Sequence, residues 1–136
     1  MTSDEMRSFF QKDRFARYNG IELLEAADGH AKTRMTVTED HLNGLGIVHG
    51  GAIFTLADFT FAAASNSRGN VAVAINANIS YMKSATGGVL CAEAREISIN
   101  PKLGTYTIDV TNEAGELLAI FQGMVYRKKE KLGEQA

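Results

Sequence analysis

Apolar residues run almost continuously through the middle of the chain, whereas they alternate with polar residues in much of the rest. The segment 49–66 is apolar nearly all round a helical projection, which predicts one long buried helix. Residues 21–27 and 30–38 predict two strands joined by a hairpin turn at Asp28-Gly29. Four further strand-like runs follow the helix: 71–82, 88–99, 103–112 and 116–127.

The ends of the chain are predicted to add little to the sheet that these strands would form. Residues 3–17, within an N-terminal segment of residues 1–18, predict a short amphipathic helix capped by Ser3. Residues 128–136 are charged and are predicted to fray. The element order predicts a single α+β domain over residues 1–136, with an antiparallel sheet of about six strands wrapped around one long central helix. Such a sheet leaves edges to cover, which favours a homo-oligomer joined through an edge strand.

The charge, the distribution of apolar residues and the spacing of the histidines argue against several classes of protein. The net charge of −2 and the isoelectric point near 5.9 give no electrostatic reason to expect a nucleic-acid partner. The N-terminus lacks the apolar region of a secretory signal, and no window approaches a membrane span, so we expect a cytoplasmic protein with no membrane contact. The three histidines do not share a metal-ligand spacing, and no metal is expected.

The stretch from residue 41 to residue 58 carries the candidate chemistry. It contains Asn43, His49, the pair Gly50-Gly51 and Asp58. A helix that begins at glycines presents bare backbone N–H groups, which can hold developing negative charge. A carboxylate within an apolar helix is costly to bury and needs a reason to be there. Together these features indicate acyl-transfer chemistry.

The spacing of two of these residues predicts an active site shared between subunits. Gly50 and Asp58 lie eight residues apart on the predicted helix. At ~1.5 Å per residue they are about 12 Å apart along its axis, too far for both to touch one reacting carbon. If both are catalytic, the acid must come from the antiparallel helix of a neighbouring subunit.

The pattern Asn43-x5-His49-Gly50-Gly51-x6-Asp58 resembles that of the hotdog-fold thioesterases of the PaaI group. The resemblance extends through Phe61, Asn66 and Ser67 into the strand at 78–81, and covers most of residues 15–127. It implies the hotdog fold and hydrolysis of acyl-coenzyme A thioesters, with phenylacetyl or hydroxyphenylacetyl groups typical of this branch. Coenzyme A is then part of the substrate, no separate cofactor is implied, and a tetramer built as a dimer of dimers is favoured.

The resemblance also implies a role for each residue of the pattern. The Gly50 N–H would polarise the thioester carbonyl, and Asp58 of the opposite subunit would act as nucleophile or as general base on water. Asn43 would position that water or the carboxylate. His49 would orient the loop or stabilise the leaving thiolate.

Further residues are predicted to bind the substrate. Because coenzyme A carries phosphates, cations should lie near its groove, and four are candidates: Lys83, Lys102, Arg127 and Lys128. By resemblance, Tyr81, the turn at 99–103 and the end of the last strand line the nucleotide side, and Gly51 joins the substrate-binding set. Some relatives use a hydroxyl on the strand after the helix. Ala74 aligns there, and Asn76, two residues on and predicted on the same face, is a weak substitute.

Two other functions on the same fold remain open. A non-catalytic module that binds acyl-CoA would keep the helix but lose the acid, and Asp58 argues against it. A hydroxyacyl thioester dehydratase would usually carry a Pro-Gly pair near the helix start, whereas the one proline here is the distant Pro101.

Overall fold

The computed structural model describes residues 1–135 and consists of a six-stranded antiparallel sheet curled around one long helix. The central helix α3 spans Gly50–Asn66. The strands follow in spatial order β1-β2-β4-β5-β6-β3. Their bounds are Ile21–Ala27 (β1), His30–Thr36 (β2), Asn70–Tyr81 (β3), Val89–Ile99 (β4), Leu103–Thr111 (β5) and Leu117–Lys131 (β6). The predicted α+β hotdog fold is confirmed.

The core lies between α3 and the concave face of the sheet, as the all-round apolar pattern of the helix requires. Alternate residues of β4 and β5 point inward and are fully buried beneath α3. One close contact sets the separation of helix and sheet: a Cβ on Gly123 of β6 would lie 2.6 Å from the ring of Phe61. A buried hydrogen bond also joins helix and sheet, since the hydroxyl oxygens of Thr33 in β2 and Thr60 in α3 are 2.7 Å apart.

The N-terminal segment forms two helices instead of the single one predicted. Helix α1 spans Ser3–Phe10 and helix α2 spans Arg14–Tyr18. Asp13 explains the break, because its side chain accepts a hydrogen bond from the Ala16 N–H and begins a new helix. The predicted cap is also wrong: Thr2 caps α1, while the Ser3 hydroxyl bonds to the backbone of Ala26 in β1.

The two outer strands of the sheet differ in how they are covered. Helix α1 packs along β1 and seals that edge. The opposite edge is β3, and most of its length is exposed on both faces, including Val73 and Ile75, which are 41% and 56% exposed. A long uncovered edge with apolar side chains favours pairing with another strand.

The C-terminal end of the sheet is longer than the sequence predicted. Residues 128–131, predicted as part of a frayed tail, continue β6 as far as Lys131, and Leu132 bonds to the backbone of Gly69. Of residue 136 nothing is described. No helix in the described part of the chain is long and apolar enough to cross a membrane.

Candidate active site

The loop before α3 is held by Asn43. Its Oδ1 accepts hydrogen bonds from the N–H groups of Leu45 and Ile47 at 2.9 and 3.3 Å. Its backbone also pairs with Ile47, which closes a tight turn. Asn43 therefore stabilises this turn, and only its side-chain oxygen takes part in doing so. The Nδ2 group has no partner among residues 1–135 and remains free to donate.

His49 caps the N-terminus of α3. Its Nδ1 accepts a 2.8 Å hydrogen bond from the Gly51 N–H, so the ring proton of the neutral imidazole is on Nε2. Its carbonyl accepts from Ala52 and Ile53 at 2.9 and 3.2 Å. These contacts support the role of orienting the loop and leave the exposed ring edge free.

The N–H of Gly50 is the unpaired donor at this helix start. It forms no hydrogen bond within residues 1–135. The peptide group that carries it is polarised, because its carbonyl belongs to His49 and accepts the two bonds just described. The positive end of the helix dipole adds to this. Gly50 thus presents a strengthened donor of the kind that stabilises a carbonyl oxygen as it becomes an oxyanion.

One cavity of about 250 Å³ opens beside the start of α3, and His49 is not part of its wall. Gly50, Asn43, Tyr81 and Lys83 all line it, which brings together four of the residues predicted from sequence. The rest of its wall is largely apolar and comes from Ile47, Val48, Ile53 and Met82, with Ser84 beside them. The cavity can therefore hold an apolar group next to two N–H donors.

Asp58 lies outside this cavity, two turns further along α3. It is half-buried, and its carboxylate has neither a hydrogen-bond donor nor a cation among residues 1–135. Burial raises the pKa of Asp58 above its ordinary value, and the nearby carboxylate of Asp13 raises it further. A half-buried acid with no partner in its own chain and a raised pKa is a candidate base.

The predicted cations are divided between two ends of the molecule. Lys83 lies at the cavity but forms an ion pair with Glu116. Arg127 pairs with Ala72 at the far end of β3, and its N–H bonds to the Lys102 carbonyl. Along a strand, the nine residues from Ala72 to Tyr81 span about 30 Å. Within one chain, Lys102 and Arg127 are therefore remote from the cavity. The Lys128 ammonium lies 3.8 Å from the Glu130 carboxylate, and the Lys128 carbonyl accepts from Asn70 at the same far end of β3.

The predicted orientation of Asn76 is wrong. The pairing of β3 with β6 shifts by one residue, so that Ala74 lies opposite Val125 and Asn76 lies opposite Met124. Successive residues of β6 point to opposite faces, and hence Ala74 and Asn76 do as well. The extra residue is Ile75, and this bulge breaks the two-residue alternation. Gly51, predicted to bind substrate, lies beside Gly50 at the helix start but outside the cavity wall, and its N–H donates to His49.

Comparison with known proteins identifies the family. The thioesterase superfamily profile matches residues 45–119. The chain is 35% identical to the Escherichia coli acyl-coenzyme A thioesterase PaaI over 88% of its own length and 86% of that protein. The chain belongs to the thioesterase superfamily.

Other comparisons within this superfamily agree. The solved structure of E. coli PaaI, a protein from the phenylacetic acid degradation operon, has a TM-score of 0.90 at 32% identity and covers 96% of this chain and 99% of that one. Human acyl-coenzyme A thioesterase 13 is 36% identical over 73% of this chain and 74% of that protein. The predictions of a thioesterase relative and of a thioester-hydrolysing enzyme are confirmed.

The sequence did not point to Asp13, whose negative charge raises the pKa of Asp58. Asp13 is far away in the chain, and its pattern indicates only a helix cap. Replacing Asp13 by Asn keeps an equally good cap but removes the second cause of the raised pKa. If Asp58 must be ionised to act, its raised pKa sets the acid limb of kcat/KM above the ordinary value of 3.8.

We therefore expect Asp13→Asn to move this acid limb to lower pH, with the plateau rate unchanged. The measurement is the pH profile of kcat/KM for the variant and the wild type. Asp28→Asn is the matched control, since Asp28 is exposed in the β1–β2 turn at a positive φ of 51° that asparagine tolerates. An acid limb that stays in place, or moves to higher pH, would show that Asp13 does not act on the base.

Proposed function

We propose that this thioesterase-superfamily enzyme hydrolyses acyl-CoA thioesters of the phenylacetyl or hydroxyphenylacetyl type, in an active site shared by two subunits. One subunit supplies the Gly50 N–H and Asn43, and the other supplies Asp58. The proposal rests on the positions of two unpaired groups along α3. The unpaired donor and the unpartnered acid belong to the same helix but do not meet in one chain.

The chemistry follows from these groups. The thioester carbonyl oxygen accepts from the Gly50 N–H, which stabilises the negative charge that develops when the carbonyl carbon is attacked. Asp58 of the partner subunit either takes a proton from the attacking water or attacks the carbon itself, in which case it forms a mixed anhydride that water afterwards hydrolyses to the free acid. The bond from carbon to sulfur then breaks, and coenzyme A leaves as the thiol once a proton reaches its sulfur. Asn43 Nδ2 donates to the water or to the carboxylate.

The exposed edge strand β3 and the uncovered side of α3 support an active site shared by two subunits. Gly51, Thr55, Asp58 and Ala62 recur at helical spacing and form the part of α3 that its own sheet leaves uncovered. If two β3 edges pair antiparallel, the sheets join and the two helices lie side by side in opposite directions. The N-terminus of one helix then approaches the middle of the other, where Asp58 lies.

The same pairing accounts for the remote cations. Antiparallel edges bring the Asn70 end of one β3 towards the Tyr81 end of the other, and Arg127 and Lys102 lie at the Asn70 end. A second cavity, of about 570 Å³, lies there and is lined by Arg68, Asn100 and Arg127. We propose that these cations of the partner subunit hold the phosphates of coenzyme A while the acyl group occupies the cavity at Gly50.

The acyl group itself is inferred from the relatives and from the cavity. The E. coli relative comes from a phenylacetic acid degradation operon, and the cavity wall at Gly50 is largely apolar. Of the three phenylalanines of α3, Phe59 and Phe61 are core residues, and Phe54 is partly exposed and could contact an aromatic acyl group. We propose a phenylacetate-degrading role in the cytoplasm, with two dimers joined into a tetramer.

The test is thiol release from a panel of thioesters: phenylacetyl-, hydroxyphenylacetyl-, benzoyl-, hexanoyl- and palmitoyl-CoA. We expect the highest kcat/KM with phenylacetyl- or hydroxyphenylacetyl-CoA. A clear preference for hexanoyl- or palmitoyl-CoA would overturn the aromatic assignment and leave the thioesterase chemistry in place. Binding of these esters without release of any thiol would favour the non-catalytic module.

A further inference from the structure

Tyr81, predicted to line the nucleotide side of the substrate groove, contacts the start of the central helix. Its hydroxyl donates a 2.8 Å hydrogen bond to the Gly50 carbonyl. Its ring carbon Cζ would lie 3.2 Å from a Cβ on Gly50, so the ring lies against the bare Cα of the glycine. The glycine at this position therefore makes room for the tyrosine ring.

The backbone of Tyr81 is fixed by the sheet. Tyr81 is the last residue of β3 and pairs with Ala119 of β6, and the next two N–H groups both bond to the Leu118 carbonyl. The side chain thus joins two parts of the molecule that the chain order separates, the sheet edge and the N-terminus of α3. No other side-chain hydrogen bond in the described chain reaches the backbone of Gly50.

The position of this glycine matters for the reaction. A donor stabilises an oxyanion only when it points at the place where the charge develops, and misplacement of about 1 Å can cost as much as ~100-fold in rate. The peptide on the N-terminal side of Gly50 is held through its carbonyl, which belongs to His49 and accepts from the Ala52 and Ile53 N–H groups at 2.9 and 3.2 Å. The peptide on the C-terminal side is held at its N–H by His49 Nδ1 and at its carbonyl by the Tyr81 hydroxyl.

We propose that Tyr81 is a positioning residue that holds the Gly50 N–H in line with the thioester carbonyl. The inference rests on the proposed function and gives Tyr81 a different task from the coenzyme A contact predicted from sequence. A residue that contacts coenzyme A contributes to binding in the ground state, and its loss raises KM. A residue that aims the oxyanion donor contributes in the transition state, and its loss lowers kcat.

The hydroxyl is suited to act as a permanent donor. Burial raises the pKa of Tyr81 above its ordinary value, so that the group stays protonated over the working range of the enzyme. Although the residue is 51% exposed overall, its hydroxyl end lies over the helix. The bond should therefore persist across the pH profile.

The test is Tyr81→Phe, which removes the hydroxyl and keeps the ring against Gly50. We expect kcat to fall about 3- to 10-fold, with KM for the best thioester changed less than about twofold. The melting temperature should stay close to that of the wild type, because the side chain is half exposed. Tyr18→Phe is the matched control, since Tyr18 is 88% exposed and its hydroxyl has no hydrogen-bond partner in residues 1–135.

A second readout needs no substrate. The Gly50 carbonyl and the Gly51 N–H belong to one peptide group, so loss of the hydroxyl should shift the Gly51 amide resonance in a ¹H–¹⁵N spectrum. Tyr18→Phe should leave that resonance in place. An unchanged Gly51 resonance in Tyr81→Phe would overturn the contact on which the proposal rests.

The kinetic outcomes separate this proposal from the proposed function. If the wild type releases thiol and Tyr81→Phe raises KM at constant kcat, Tyr81 binds coenzyme A and the positioning role is wrong. If both constants are unchanged, the hydroxyl has no part in the reaction. A wild type that releases no thiol from any thioester overturns the proposed function, and the positioning role with it.

Discussion

Replacing Asp58 by Asn is expected to lower kcat by about 10³-fold, with KM for acyl-CoA nearly unchanged. The amide keeps the shape of the side chain and loses the lone pair and charge that activate water or attack the carbonyl. The measurement is steady-state thiol release at saturating thioester. A variant that keeps more than about a tenth of the wild-type kcat would contradict the role given to Asp58.

The stability of the same variant provides the control. The pKa of Asp58 is raised in the folded protein, so the folded state favours the protonated acid. The free energy of unfolding then falls as pH rises through the interval from 3.8 to the raised pKa, and the cost is fully present at neutral pH. The amide of the Asp58→Asn variant carries no charge, so the melting temperature of the variant should equal or exceed that of the wild type. A lower melting temperature would attribute the loss of activity to unfolding.

Replacing Gly50 by Pro is expected to lower kcat by about 10²- to 10³-fold, because it removes the N–H that faces the thioester oxygen. Proline should be well tolerated at position 50. Gly50 is the first residue of α3, where proline is favoured, and its N–H makes no bond within the described chain. The preceding residue, His49, has φ −60° and ψ 134°, which are angles that a residue before proline adopts.

Gly50→Ala is the matched control, since it adds the Cβ and keeps the N–H. That Cβ would lie 3.2 Å from the half-exposed Tyr81 ring, which can move by a few tenths of an ångström. We expect a loss of less than about tenfold for Ala, well below the loss for Pro. Equal kcat values for the two variants would mean that the crowding of Tyr81, and not the absent N–H, limits the rate.

Much of the fold could be predicted because each element carries its own local signal. The helix is apolar all round and is buried, and the strands alternate, with β4, β5 and β6 paired as a meander beneath it. The errors arise where one side chain decides between two structures. Asp13 caps a second helix within a segment that is otherwise helical, and Ile75 forms a bulge that no local pattern marks.

The candidate site was predictable where its residues lie close together in the sequence. Asn43, His49 and Gly50 are joined by one loop and one helix start, so that short-range hydrogen bonds fix their geometry. Contacts between distant segments could not be predicted this way. The Tyr81 hydroxyl on Gly50 and the effect of Asp13 on Asp58 both depend on how the helix lies on the sheet.

Hetero-oligomers of Asp58→Asn and Gly50→Pro subunits test the shared active site most directly. Each variant alone should be inactive, since every site then lacks either the acid or the donor. In a mixed dimer, one site combines an intact Gly50 with an intact Asp58 and the other site lacks both. Co-expression with random pairing should therefore restore about a quarter of the wild-type kcat per subunit. If the mixture stays as inactive as the two parents although mixed dimers form, the donor and the acid act within one chain and the shared site is wrong.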